Sequence, residues 1–116
     1  MYLQVLKSKL KEVVVTDANT EYEGSLTLDP LLMAEAHLVP FERVEVNSKD
    51  GESRIVTYVI EGETGSGQVE MNGGAANFFR PGDLVHVNCF VITEPDNIPK
   101  PVIVYTDKDN RVKFTK

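Results

Sequence analysis

The chain has 116 residues, 41% of them hydrophobic and 26% charged, the make-up of a single globular domain (1–116) and not of a disordered segment. Its formal net charge of −6 argues against general nucleic-acid affinity, which needs clustered cations to displace counterions. A small anionic ligand stays admissible, because screening over about 8 Å leaves nearby charges in control.

Short runs rich in β-branched residues dominate the chain, and the first two, 2–6 and 12–16, read as strands. Lys7, Lys9 and Lys11 interrupt the apolar pattern around them, so no unbroken stretch there suits a signal peptide or a bilayer span, and a cytoplasmic protein without a membrane partner is expected. Gly24-Ser25 opens an alternating strand pattern, Leu26, Thr27, Leu28. Asp29 follows as N-cap, with Pro30 at the first position of a short helix carried by LLMAEAH. Strands at 43–47 and 54–60 flank Lys49-Asp50-Gly51-Glu52, which suits a hairpin, and Gly65-Ser66-Gly67 marks a flexible corner. A turn or so of helix is expected around Ala75 to Phe79, then a tight turn at Pro81-Gly82 and strands at 84–93, 102–105 and 111–115. The last two are joined by Asp107-Lys108-Asp109-Asn110, read as a solvated hairpin. Cys89, the only cysteine, lies in the apolar run VHVNCFVI and reads as a buried strand thiol without a partner.

An internal echo bears on the architecture. Leu38-Val39-Pro40 through Val46 aligns with Phe79-Arg80-Pro81 through Val87, each following a short helical stretch and leading into a strand. Two such units related by a pseudo-twofold suggest a closed barrel, which removes exposed sheet edges. Pro81-Gly82-Asp83-Leu84-Val85 resembles the glycine-aspartate box of double-psi β-barrels. The expected fold is therefore mainly β: a small, closed, six-stranded double-psi barrel with short helices and a terminal hairpin.

Several chemistries find no support. His37 and His86 stand far apart without ligand spacing, so no metal site is expected. Gly62, Gly65 and Gly67 lack the strand-to-helix setting and the lysine of a phosphate loop. Asp107, Asp109 and Asn110 lack the following glycine and glutamate of a calcium loop. Glu63-Thr64-Gly65 is a poor substitute for the Asp-Thr/Ser-Gly of an aspartic-protease half-barrel.

Lys9 in LKSKLK, Val15-Thr16-Asp17-Ala18-Asn19, Tyr22-x-Gly24-Ser25, Arg54-x-x-Thr57-Tyr58 and the Asn72-Gly73 loop ahead of the proline-glycine-aspartate turn stand in an order and spacing that resemble the aspartate 1-decarboxylase family, to about residue 94. The resemblance implies self-cleavage between Gly24 and Ser25, giving a β chain of residues 1–24 and an α chain of residues 25–116. Ser25 would become a covalent pyruvoyl group, forming a Schiff base with L-aspartate without pyridoxal phosphate or a metal. The products would be CO2 and β-alanine for pantothenate and coenzyme A synthesis. By the same resemblance Thr57 assists processing at the Gly24 carbonyl, Tyr58 donates the proton, and Lys9, Arg54, Tyr22, Asn72, Gly73, Gly74 and Ala75 form the substrate-binding set. The family builds its site between subunits of a homotetramer, and some relatives need a maturation partner. Three residues depart from the family's habit: Lys11 where histidine is frequent and Asn47 where an aromatic is common, both placed at the pocket rim, and Gly74 where alanine is usual, which loosens the processing loop.

The chemistry can be stated from the residues. Loss of a carboxylate as CO2 leaves an electron pair on carbon, and no unmodified side chain offers the conjugated carbonyl that would delocalise it, so a sink must be bound or made. A serine hydroxyl can attack the preceding carbonyl, exchange amide for ester, and leave by β-elimination, the residue then hydrolysing to a ketone. Glycine before the serine removes steric obstruction and would permit a strained reactive peptide. A phenol, with an ordinary pKa of about 10, is a proton source at neutral pH. Arginine offers a planar fork for a carboxylate. The competing reading is a non-catalytic double-psi barrel that binds a peptide or another protein, since one fold hosts many functions.

Overall fold

A computed structural model describes all 116 residues. Nine strands form one sheet: β1 (Leu3–Val14), β2 (Asp17–Asn19), β3 (Ser25–Leu28), β4 (Arg43–Ser48), β5 (Arg54–Glu61), β6 (Val69–Asn72), β7 (Leu84–Thr93), β8 (Val102–Thr106) and β9 (Val112–Thr115). A helix, α1 (Pro30–Glu35), and two short 3-10 turns, Gly73–Asn77 and Pro95–Asn97, interrupt them. The strand order is β2-β6-β3-β5-β4-β7-β1-β8-β9. β2 and β1 thus stand six places apart, roughly 29 Å in a flat sheet. Only Val15 and Thr16 join them, a link of about 11 Å at most. The sheet must therefore curl round its own core: Val15 N–H, donating to the Asp83 carbonyl, continues the β1–β7 ladder, and one residue later Thr16 N–H reaches the Val69 carbonyl of β6. Setting aside three-residue β2 and the terminal hairpin β8–β9 leaves six strands, the number expected of the barrel.

The segments 2–6 and 12–16 are two ends of one strand. β1 runs unbroken through the three lysines because it bulges twice, between Leu6 and Ser8 and between Leu10 and Val13 against β7, and Glu12 takes φ 56°. Each bulge resets which side chains face inward. That break in alternation is what divided the strand in the sequence. The echo has a structural counterpart: β4 and β7 pair antiparallel, Val44 with Cys89 and Val46 with Val87, as a twofold axis between equivalent strands requires. Alternate inward residues of these strands, with Leu10, Leu26, Leu28, Val59, Val69 and Met71, belong to one buried core.

Asp29 caps α1 as expected, its carboxylate accepting Leu31 N–H at 2.9 Å, and it also accepts Gly65 N–H and Gly67 N–H from the glycine corner. Burial pushes its pKa up, but these backbone donors, with Arg111 nearby, outweigh it and leave the carboxyl below its ordinary value. The last hairpin is less solvated than expected: Asn110 is 3% exposed and its amide bonds the Val14 and Gly67 carbonyls and Val14 N–H. Its φ of 60° turns the side chain inward, where it ties three segments together. No helix is long and apolar enough to cross a membrane.

Candidate active site

Ser25 opens β3 opposite Asn72 of β6, while Leu26 pairs with Val59 of β5. The Gly24–Ser25 peptide is thereby fixed at the mouth of the barrel. Ser25 is 1% exposed. Asn72 Nδ2 donates to Ser25 Oγ at 3.0 Å and to Thr27 Oγ1 at 2.8 Å, so both amide hydrogens are used, and the Ser25 hydroxyl donates to the Glu23 carbonyl at 3.4 Å. Asn72 is wholly buried with Oδ1 unpartnered. The sequence reading missed Thr27, although a residue two along a strand from Ser25 must share its face.

Strain expected at Gly24 is not there: its φ lies outside the left-handed range, and an added Cβ would meet nothing within 4 Å. The demand falls on Gly73, which has φ 64° and packs so closely that a Cβ would stand 2.6 Å from Gly24 N, 2.7 Å from Gly24 Cα and 3.0 Å from the Tyr22 carbonyl oxygen. Gly73 is the anvil beneath the scissile segment.

Gly24, Thr57, Tyr58, Gly74 and Ala75 line one open cavity of about 420 Å³ with Ile55, Val56 and Phe78. Tyr58 is 37% exposed at its wall, and Tyr22 is exposed nearby in the segment that packs on Gly73. The polar contact that reaches Ser25 is from Asn72, and Thr57 shares the cavity with Gly24.

Lys9 and Arg54 meet elsewhere. They line a second cavity of about 280 Å³ with Glu45, Asn47 and Asn88, on the outward face of β1, β4, β5 and β7. Lys9 sits on β1, four strands from β3 in the sheet order, roughly 19 Å along the sheet. Arg54 opens β5, the strand beside β3, yet both cations line a cavity to which neither Gly24 nor Ser25 contributes. Arg54 Nε donates to Asn47 Oδ1 at 3.0 Å, so Asn47 aims the guanidinium and is more than a rim residue. Lys11, also expected at the rim, lies instead over the Tyr105 ring at 5.2 Å. The chain's ion pairs, Lys7–Glu42 and Lys49–Glu12, leave Lys9 and Arg54 uncommitted.

Two titratable groups are pushed away from chemistry. Burial, followed by the Glu42 carboxylate on its thiol, raises Cys89 to about 12, so it stays a thiol, as the strand reading requires. His86 is lowered, first by burial and then by the charge of Lys9, and its Nδ1 accepts Glu12 N–H at 3.2 Å. It serves the β1 bulge. No group of three His, Cys, Asp or Glu side chains is placed to hold a metal ion.

The sequence model of the family described as aspartate decarboxylase matches residues 1–113. A protein of Dehalococcoides mccartyi named aspartate 1-decarboxylase is 44% identical over 114 residues, covering 97% of this chain and 92% of its own. Proteins of the same name from Clostridium kluyveri (40% over 114 residues, 97% and 90% covered) and Syntrophus aciditrophicus (40% over 111, 94% and 96%) are similar throughout. Among solved structures, a rationally designed double-psi barrel protein, mkDPBB_sym_86, superposes with a TM-score of 0.51 at 24% identity, over 72% of this chain and 90% of that one. That likeness speaks to fold alone.

Proposed function

The chain belongs to the aspartate decarboxylase family, and from that premise we propose that it cleaves itself at Gly24-Ser25 and then decarboxylates L-aspartate to β-alanine, as a cytoplasmic enzyme feeding pantothenate synthesis. The observation that carries this reading is the enclosure of Ser25 Oγ. A hydroxyl shut off from water and held by Asn72, beside a peptide whose glycine has no side chain to obstruct it, supports attack on its own peptide. Oγ bonds to the Gly24 carbonyl carbon as the C–N bond breaks; elimination frees the Gly24 carboxylate, and one water enters as one ammonia leaves. The residues fit the resulting group, since Thr57, Tyr58 and the Gly73–Ala75 turn surround the Gly24 end of the junction. The ketone supplies the electron sink that decarboxylation needs.

The other residues divide the remaining work. Tyr58 Oη–H is the proton source for the carbon that loses CO2, at the wall of the cavity that holds Gly24. Lys9 and Arg54 hold carboxylate, Arg54 with its fork aimed by Asn47. Because the two cavities are separate within a chain, the working site is shared, with the cations of one copy facing the Ser25 cavity of another in a homotetramer. The exposed Phe41, Val56, Tyr58 and Phe78 give a face for that contact.

Intact mass, borohydride reduction and an aspartate assay on one preparation test the proposal. The expected result is two chains ending and beginning at Gly24-Ser25, the second lighter by one ammonia than a serine-started chain, with product formation lost on reduction. An uncut chain that still made β-alanine would end the reading.

Two variants separate the two stages. Arg54→Ala is expected to lower kcat/KM for aspartate about 10- to 150-fold, the worth of a charge-assisted hydrogen bond at roughly 1.5–3 kcal/mol. Self-cleavage should proceed normally, since Arg54 lines the other cavity; wild-type kinetics would remove Arg54 from the site. Thr27→Val keeps the shape but frees the Asn72 amide hydrogen that anchors on Thr27 Oγ1. A fall of about tenfold in self-cleavage rate, near the upper net worth of one neutral hydrogen bond, is expected on a gel time course. Thr27→Ser should restore it, and equal rates in all three chains would show Thr27 to be packing alone.

A further inference from the structure

The second cavity contains a buried polar group that the chain itself leaves unused. Asn88 stands on the outward face of β7, between Lys9 of β1 and Glu45 of β4 in one cross-strand row. It is only 7% exposed, and its Oδ1 is buried without a hydrogen-bond partner. Buried amides that go unpaired are few in folded proteins, and each calls for a reason. Asn47, the other asparagine in this cavity, has its oxygen committed to Arg54. Asn88 is free to meet something that enters.

We propose that Asn88 is a specificity-determining residue that reads the side-chain carboxylate of the substrate together with Lys9 and Arg54; the inference rests on the decarboxylase reading for the identity of that substrate. An amide offers a donor and an acceptor on one rigid plane. Nδ2 donates to a carboxylate oxygen, while Oδ1 accepts from the Lys9 ammonium, which has three hydrogens to share between the carboxylate and the amide. Lys9 is thereby turned toward the ligand when the ligand arrives. Glu45 closes the far side of the row and repels a carboxylate placed one position too deep, so the cavity favours a short dicarboxylic amino acid over a longer one.

The experiment uses the matured oligomer and two readouts. Succinate, which has both carboxylates of aspartate but no amine to react, is titrated by calorimetry into wild type, Asn88→Leu and Asn88→Asp; KM and kcat for aspartate are measured on the same samples. Leucine is close in volume and removes an unpaired acceptor, so its melting temperature is expected to hold or rise. Its succinate affinity is expected to fall about tenfold, with the loss in turnover carried by KM. Aspartate at this position sets a like charge against the ligand and should bind weaker still. Unchanged succinate affinity in both variants, or no succinate binding by wild type, overturns the proposal. Asn88-dependent succinate binding in a protein that makes no β-alanine would leave Asn88 standing and fell the decarboxylase reading.

Discussion

The Ser25→Ala chain is expected to remain one polypeptide of uncut mass and to make no β-alanine above background, a loss of at least about 10⁶-fold on the usual scale of enzymic acceleration. The loss has two sources. Without Oγ the Gly24 carbonyl has no nucleophile beside it, and without the ketone the electron pair left by CO2 has no conjugated place to go. No neighbouring group replaces it: Cys89 lies on β7 facing the core, with its thiol held at about 12. The fold should survive, because Asn72 Nδ2 keeps its bond to Thr27 and a methyl replaces a hydroxyl in a buried space, at a cost of about 1–3 kcal/mol for the two hydrogen bonds lost, from Asn72 Nδ2 and to the Glu23 carbonyl. Mass, melting temperature and product formation on the same sample decide the matter. A cut chain, or turnover by an uncut one, would place the electron sink somewhere other than Ser25.

Much of this arrangement was legible in the sequence, for reasons that differ from residue to residue. Local chemistry announced α1, since Asp29-Pro30 is a capping pair whose carboxylate finds backbone donors in the first turn. The helix-turn-strand echo announced two units related by a pseudo-twofold, because equivalent segments fold alike; that their strands β4 and β7 pair with each other came only from the structure. The β1 strand was hidden: its two bulges break the period of two, and only the pairing with β7 shows that the chain never turns. The short strands β2 and β6 had too few residues for a periodic signal. At the site, the family resemblance pointed to Ser25, Thr57, Tyr58, Lys9 and Arg54 as candidates, but not to their division between two cavities, which depends on strand order. Nor did it show Asn110 buried or Asn88 unpaired. Burial and hydrogen-bond satisfaction are properties of neighbours, and these neighbours are distant in the chain.

Adjacent glycines at the processing turn should respond oppositely to the same substitution. Gly73→Ala puts a methyl within 2.6–2.7 Å of the Gly24 backbone at a φ of 64°. Alanine tolerates that backbone at a cost of roughly 1–2 kcal/mol, but backbone atoms this close do not yield as a side-chain tip would. The Gly24 segment must move away, and with it the carbonyl that Ser25 Oγ attacks; a displacement near 1 Å costs an oriented reaction about 10²-fold. Self-cleavage is therefore expected to slow by about that factor or more, as followed by the disappearance of the uncut chain. Gly74→Ala meets nothing within 4 Å and needs no left-handed backbone. It should leave cleavage unaltered and stabilise the fold by about 0.4–1 kcal/mol through the unfolded chain, so a glycine here need not slow maturation by loosening its loop. If Gly73→Ala cleaves at the wild-type rate, close packing against Gly24 is not what sets the geometry of the attack. If Gly74→Ala alone blocks cleavage, flexibility one residue later is what the reaction uses.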